Sequence, residues 1–318
     1  MRWLLTLSAI IVSLAVLFLV GPKVPVNTEI HQITLSNNLD DYLRKSEARF
    51  SDIRTGTEKT IVWANPLKKD KTALSIISIH GFTASRQEIF PLCDMLAQRL
   101  GANLFYTRLT GHGRTGQVLA EATVNDWLND TVEALKIGRQ IGEKVIIIGT
   151  SMGGTLAMWL ATYDDSEDVL AYILLSPNFA PKDSKADILT WPWAKYFVPL
   201  IFGEDWGFNP QNSQQAKYWT TQYPTISLFP MMGLTKLVRG SNFGQVKKPF
   251  LFLFSLEDQV VNSETTMEVY ERLGSKLKEK ILVKDSRNPE KHVIVGDILS
   301  PENNEVVTQE VLNFLGKL

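Results

Sequence analysis

A serine stands between two closely spaced glycines in the segment Gly149-Thr150-Ser151-Met152-Gly153. The apolar run 145–148 precedes this segment and helix-forming residues follow it, which predicts a sharp turn from a strand into a helix. Gly149 and Gly153 have no side chains, which avoids a collision where the chain reverses direction. The pattern therefore predicts that Ser151 is presented at the carboxyl edge of a sheet as a nucleophile.

A serine hydroxyl needs a base to take its proton, and the chain has four histidines. His31 follows the apolar N-terminus in a polar stretch, and His112 lies between two glycines in a predicted tight turn. His80 precedes Gly81 at the end of an apolar run, which suits a loop beside the nucleophile better than a base. His292 remains, late in the chain and after a predicted strand, and we expect it to be the base.

A third group must orient that base, and the best candidate is Asp258. The run 249–254 is typical of a buried strand, and Asp258 lies in the loop at its end, at the same sheet edge as Ser151. Glu257 is the local alternative and Asp183 a weaker one. The order along the chain is then serine, aspartate, histidine, which is that of the α/β-hydrolases.

With these residues, positions 36–318 resemble α/β-hydrolases of the monoacylglycerol lipase, bacterial carboxylesterase and serine aminopeptidase type. The matching segments are His80-Gly81-Phe82-Thr83, Arg108-Leu109-Thr110-Gly111-His112-Gly113, the Gly149 to Gly154 turn, Glu257-Asp258-Gln259-Val260-Val261, and His292 with Asp297. In that family, two backbone amides form the oxyanion hole: one after the His-Gly pair and one after the nucleophile. The resemblance implies that these are the N–H groups of Phe82 and Met152, supported by His80, Gly81, Gly149 and Gly153. Thr110 departs from the family, which usually has proline there.

The fold implied is an α/β-hydrolase with a mostly parallel eight-stranded sheet, flanked by helices and carrying an inserted helical cap. The core would comprise 36–177 and 249–318, with the cap at 178–248. The alternation of elements along the chain supports this arrangement. Strands are predicted over 60–64, 74–79, 102–109, 145–148, 170–176, 249–254 and 280–284, and helices over 85–99, 125–142 and 308–315. Aromatic residues are frequent in the cap segment, where they form either its own core or an apolar acyl pocket.

Composition excludes several other classes. The formal net charge of −1 gives no electrostatic basis for binding nucleic acid. A single cysteine, Cys93, excludes an internal disulfide and a cysteine-based zinc cluster. The chain has neither a His-Glu-x-x-His motif nor a phosphate-binding glycine loop, so we expect no metal and no cofactor.

The N-terminus has a separate character, because Trp3 to Val20 is an uncharged and mostly apolar stretch. We predict that residues 1–22 form a transmembrane anchor, since about 18 apolar residues approach the thickness of a bilayer core as a helix. The positive charges before the stretch would then place the catalytic domain outside the cytoplasm, in the periplasm of a bacterium. The alternative is a signal segment that is removed from a secreted protein.

The sequence thus predicts a serine hydrolase that cleaves carboxylic esters through an acyl-enzyme on Ser151. The expected substrate is a small acyl ester, for example a lipid such as a monoacylglycerol. A first alternative is a peptidase of the same fold, which needs an acidic group in the cap to hold the α-amine of its substrate. Candidates for that group are Asp183, Asp187, Glu204 and Asp205. A second alternative is a membrane-tethered binding protein that keeps the fold without the chemistry.

Overall fold

The computed structural model describes residues 2–164 and 166–318. Met1, the first residue of the predicted N-terminal segment, lies outside the described residues. The strands are β1 (Thr60–Val62), β2 (Thr72–Ile79), β3 (Asn103–Tyr106), β4 (Gly142–Thr150), β5 (Val169–Leu175), β6 (Asp205–Gly207), β7 (Gln222–Pro224), β8 (Phe250–Phe254) and β9 (Lys278–Leu282). The main sheet has the spatial order β1-β3-β2-β4-β5-β8-β9, while β6 and β7 pair separately.

The main sheet is parallel except at one edge, where β1 runs antiparallel to β3. Helices cover both faces of a parallel sheet, which explains why residues 145–148 of β4 form an unbroken apolar run. The prediction of a mostly parallel α/β sheet is confirmed, but the sheet formed by the described residues has seven strands rather than eight. All seven strands that the sequence predicts individually are present; the chain before β1 forms a short polar helix instead of a further strand.

The α-helices are α1 (Arg2–Leu19), α2 (Leu39–Glu47), α3 (Leu92–Leu100), α4 (Gly116–Leu119), α5 (Val124–Ile141), α6 (Met152–Tyr163), α7 (Ala194–Phe202), α8 (Ser213–Tyr218), α9 (Leu228–Arg239), α10 (Ser263–Arg272) and α11 (Asn304–Leu315). Helices α5 and α6 cover one face of the main sheet, and α3 and α11 cover the other. Side chains alternate between faces along each strand: in β4, Ile147 packs with α5 and α6, whereas Ile146 and Ile148 pack with α3 and α11. The two cores hold the strand ends in fixed positions.

The helix predicted over 85–99 is interrupted. Residues Arg86–Glu88 form a single 3-10 turn capped by Ser85, and α3 begins only at Leu92. Proline at Pro91 explains the break, since the residue before a proline avoids the helical conformation. Ser85 and Glu88 have the spacing of a capping box, which favours a helix start at Ser85. That spacing is misleading here, because the Glu88 side chain accepts a hydrogen bond from Gly81 N instead.

An insertion, defined here as residues 176–249, separates β5 from β8. It contains α7, α8, α9 and the antiparallel pair β6–β7. The helix α9 packs against α6, which begins directly after the predicted nucleophile. The insertion is thereby held against the sheet edge where β4 ends.

The N-terminal segment differs from its prediction. The helix α1 has 18 residues and begins at Arg2. Among the described residues, no helix has both the length and the apolarity to cross a membrane. The predicted membrane anchor is therefore wrong. The predicted location of the catalytic domain outside the cytoplasm depended on that anchor, so it is not supported either. The end of α1 instead contacts the insertion, where Trp193 Nε1 donates to Leu17 O at 3.1 Å.

Candidate active site

Ser151 occupies the turn between β4 and α6. Its φ of +52° lies in the left-handed region that a residue with a side chain rarely adopts. A Cβ on Gly149 would lie 2.4 Å from Gly153 O, and a Cβ on Gly153 would lie 2.0 Å from Ile79 O. Because both distances are far below van der Waals contact, the strained turn around Ser151 requires glycine at both positions.

Asp258 and His292 form a buried pair. His292 Nδ1 lies 2.8 Å from Asp258 Oδ2, and the Asp258 side chain is fully closed to solvent. The other carboxylate oxygen, Oδ1, accepts the N–H groups of Val260 at 2.8 Å and Val261 at 2.9 Å. The carboxylate is thus fixed by its own loop and in turn fixes the imidazole ring.

The three predicted residues lie at one edge of the sheet. Ser151 follows β4 directly, Asp258 lies in the loop after β8, and His292 lies in the loop after β9. These strands run parallel, so their carboxyl ends meet at a common edge. In the part of the chain that the structure describes, no hydrogen bond joins the Ser151 hydroxyl to His292; in hydrolases such a bond commonly tightens only when substrate is bound.

The alternatives weighed for these roles lie elsewhere. Glu257 is exposed, whereas its neighbour Asp258 is buried. Asp183 is exposed and caps a 3-10 turn by accepting Lys185 N. His31 is exposed as well.

The other two histidines are structural. His80 and His112 are buried with ring centroids 4.9 Å apart. His80 Nδ1 lies 2.9 Å from Gly81 O, and its Nε2 accepts Leu109 N at 3.1 Å. Burial lowers the pKa of His80 to about 4 and that of His112 well below its usual value, so both rings are neutral near pH 7.

The resemblance implies two backbone amides as oxyanion donors, and the structure leaves both of them able to donate to a substrate oxygen. Phe82 lies in the loop after β2 and Met152 is the first residue of α6, and within the described residues neither N–H has an acceptor. The first N–H groups of a helix have no intrahelical partner and carry the positive end of the helix dipole. The N–H of Met152 therefore favours a negative oxygen close to Ser151.

Opposing effects set the pKa of His292. Burial lowers it, but the charge of Asp258 and the hydrogen bond to Asp258 raise it, as do the charges of Glu88 and Glu290. The result is a pKa above the ordinary histidine value. His292 is therefore a stronger base than a free imidazole.

Sequence reasoning missed two polar side chains at this site. Asn288 Oδ1 accepts His292 N at 3.0 Å and so helps to shape the histidine loop. Glu88 is only 3% exposed, and its Oε2 accepts Gly81 N at 2.7 Å. A glutamate seven residues after a His-Gly pair, directly before the apolar Ile89 and Phe90, is the available signal for Glu88.

The insertion contributes aromatic side chains next to the loop after β2. Tyr223 packs edge-on against Phe82 at 5.5 Å, and Thr220 N donates to Thr83 O at 2.8 Å. Trp219 is buried and packs with Val293, the residue after His292. In contrast, Trp191 and Trp206 are exposed. Only some of the aromatic residues of the insertion therefore face the candidate site.

A separate cavity of about 580 Å³ lies beneath α2 and contains none of the three predicted residues. Its walls are charged and largely paired: Lys59 with Glu133, and Arg108 with Glu47 at 2.8 Å. A cavity with ion pairs in its wall is a poor binding site for an apolar substrate.

Known proteins are similar over most of the chain. A thermostable monoacylglycerol lipase from Bacillus sp. (strain H-257) is 24% identical over 254 residues, which are 80% of this chain and 95% of the lipase. A structure reported for the metagenome-derived lipolytic enzymes LipS and LipT has a TM-score of 0.67 and 22% identity, over 84% of this chain and 100% of that one.

A soluble variant of monoglyceride lipase from Saccharomyces cerevisiae gives a TM-score of 0.62 with 16% identity, over 82% of this chain and 90% of that one. These structural similarities concern the α/β-hydrolase fold. The sequence family of serine aminopeptidase, S33, matches residues 70–287, from just before β2 to the first residues after β9. The chain therefore belongs to the serine aminopeptidase S33 family of α/β-hydrolases.

Proposed function

We propose that the protein is a serine hydrolase that cleaves carboxylic esters, with a monoacylglycerol or a similar acyl ester as substrate. The observation that carries the proposal is the closed Asp258–His292 pair at the sheet edge where Ser151 occupies a strained turn. An aligned base at a nucleophile turn is the arrangement that acyl transfer needs. The relative that aligns over 95% of its own length and 80% of this chain is a monoacylglycerol lipase, which favours ester over amide substrates.

In the proposed reaction, Ser151 Oγ attacks the ester carbonyl while His292 Nε2 takes the hydroxyl proton. Asp258 holds the ring by its Nδ1 and stabilises the imidazolium that forms. The tetrahedral intermediate collapses as His292 returns the proton to the departing alcohol, which leaves an acyl-enzyme on Ser151. Water then attacks the acyl group with His292 again as base, so the acid is released and the serine is restored.

Negative charge develops on the carbonyl oxygen in both steps. We assign its stabilisation to the N–H groups of Phe82 and Met152, which have no other acceptor in the described structure. Removing one such donor in other serine hydrolases costs about 10²- to 10³-fold in rate.

We assign the segment 178–248 to the cap over this site. The aromatic rings of Tyr223 and Trp219 lie against the loops of Phe82 and His292, and they offer an apolar surface to an acyl chain. The carboxylates that a peptidase would need in the cap are exposed or paired with a basic side chain. Asp183, Glu204 and Asp205 are exposed, and Asp187 pairs with Arg239 at 2.9 Å. An ester therefore fits the proposed site better than a free α-amine.

The proposal is tested by comparing a medium-chain monoacylglycerol with an aminoacyl naphthylamide as substrates. We expect hydrolysis of the ester, little or none of the amide, and loss of ester hydrolysis in Ser151→Ala with an unchanged circular dichroism spectrum. The matched control is Ser213→Ala, which changes an exposed serine of α8 and should retain full activity. Preferred cleavage of the naphthylamide would favour the peptidase, and undiminished activity of Ser151→Ala would refute the proposal.

A further inference from the structure

We propose that Glu88 is a positioning residue of this hydrolase, which couples the oxyanion loop to the histidine loop; the inference rests on the proposed ester hydrolysis. The oxyanion loop is defined here as residues 80–83, and the histidine loop as residues 288–297. Glu88 lies between them, closed to solvent.

On one side, Glu88 contacts the oxyanion loop. Its Oε2 accepts Gly81 N at 2.7 Å, one residue before the proposed donor Phe82. A Cβ on Gly81 would lie 2.8 Å from Glu88 Oε1 and 3.1 Å from Ser151 Cβ. The carboxylate and the nucleophile therefore pack against the same side of Gly81, and the hydrogen bond fixes the peptide that leads into Phe82.

On the other side, the backbone of Glu88 and its neighbours contacts the histidine loop. Gly296 has a φ of +113°, and a Cβ there would lie 2.5 Å from Glu88 O. Asp297 N donates to Phe90 O at 2.8 Å. The segment 88–90 thus packs tightly against the loop that carries His292.

The carboxylate and His292 also interact through their charges. Burial raises the pKa of Glu88 to about 7, although the Gly81 N–H and the charge of His292 both lower it. In turn the charge of Glu88 raises the pKa of His292, alongside the larger effect of Asp258 and the smaller one of Glu290. Glu88 therefore changes its charge near neutral pH. It lies between the loop of Phe82, which binds the oxyanion, and the loop of His292, which transfers the proton.

Two consequences follow for catalysis. An ionised Glu88 makes a charge-assisted bond to Gly81 N–H, which holds the oxyanion loop more firmly than a neutral acid would. The same charge stabilises the imidazolium of His292, so removing it should lower the pKa of that base.

The test compares the pH profiles of kcat/KM for the full-length wild type, Glu88→Gln and Glu88→Leu. Glu88→Gln keeps the size and an acceptor for Gly81 N–H but removes the charge. We expect its acid limb to move to lower pH by about one unit, with kcat on the alkaline plateau within about threefold of the wild type. Glu88→Leu also removes the acceptor, so its plateau kcat should fall at least about tenfold with KM little changed.

Glu290→Gln is the matched control, because Glu290 is exposed and its charge acts on the same histidine. We expect it to move the acid limb much less than Glu88→Gln, since solvent screens an exposed charge. Thermal unfolding of each variant shows whether it is folded, and the rate of labelling by a fluorophosphonate gives a second pH profile that does not depend on turnover.

Superimposable profiles for wild type and Glu88→Gln would overturn the role of Glu88. An equal shift in Glu290→Gln would also overturn it, because any nearby charge would then suffice. If the wild type hydrolyses no ester at all, the proposed function fails instead, so the two failures are distinguishable.

Discussion

Asp258 holds His292 in a fixed orientation through a 2.8 Å contact between Oδ2 and Nδ1, within a pair that is almost closed to solvent. The carboxylate cannot turn away, because its second oxygen accepts two backbone N–H groups of its own loop. The ring orientation is therefore set before any substrate arrives, which reduces the reorganisation needed during the reaction.

Replacing Asp258 by asparagine should cost kcat on the order of 10³- to 10⁴-fold. The amide cannot stabilise the imidazolium, and it allows the wrong tautomer of His292. The neighbouring Glu257→Gln removes a charge of the same sign one residue away on the exposed side of the loop and should leave kcat unchanged. Equal losses in the two variants, measured with a soluble ester, would argue against the assigned orienting acid.

The pH dependence of kcat/KM should show an acid limb above the ordinary histidine pKa of about 6.5. Activity needs neutral His292, and the net effect of Asp258, Glu88 and Glu290 raises the pKa of this residue, so activity is lost as pH falls through that raised pKa. His80, with a pKa of about 4, is already neutral across this range. A neutral ester substrate assayed across the range provides the measurement. An acid limb well below the ordinary histidine value would contradict the environment described for His292.

Gly153→Ala should destabilise the protein by about 1–3 kcal/mol and reduce kcat. The added Cβ would lie 2.0 Å from Ile79 O, so β2 and the oxyanion loop that follows it must move. Gly240→Ala is the matched control, since its Cβ would meet its nearest atoms at an ordinary 3.5 Å at the end of α9. Denaturant unfolding and kcat are measured on both. The explanation fails if Gly153→Ala is as stable and as active as the control.

The sequence predicted the sheet well because buried parallel strands are unbroken apolar runs. The clearest such runs are β8 and residues 145–148 of β4, and β5 is also almost entirely apolar, whereas β2 includes Ser75 and Ser78. The predicted bounds of all four strands lie within a few residues of those in the structure. The predictions were weaker where a single residue overrides a pattern. Ser85 and Glu88 have the spacing of a capping box, yet Pro91 breaks the helix and Glu88 turns to Gly81.

The role of Glu88 could not be anticipated, because its neighbours come from loops far apart in the sequence. A glutamate on a helix is usually exposed, and only the folded chain places this one between Gly81 and the histidine loop. The N-terminal prediction failed for a different reason. The apolar stretch from Trp3 to Val20 has a borderline length for a membrane anchor, and no helix of the described chain meets the requirements for one.

Mass spectrometry of the protein after reaction with a fluorophosphonate ester tests the central claim most directly. We expect a single phosphonyl adduct on the peptide that contains Ser151, with loss of ester hydrolysis in proportion to labelling. Ser151→Ala should remain unlabelled, and Ser213→Ala should be labelled like the wild type. An adduct on another residue, or full activity in the completely labelled enzyme, would contradict the assignment of Ser151 as the nucleophile.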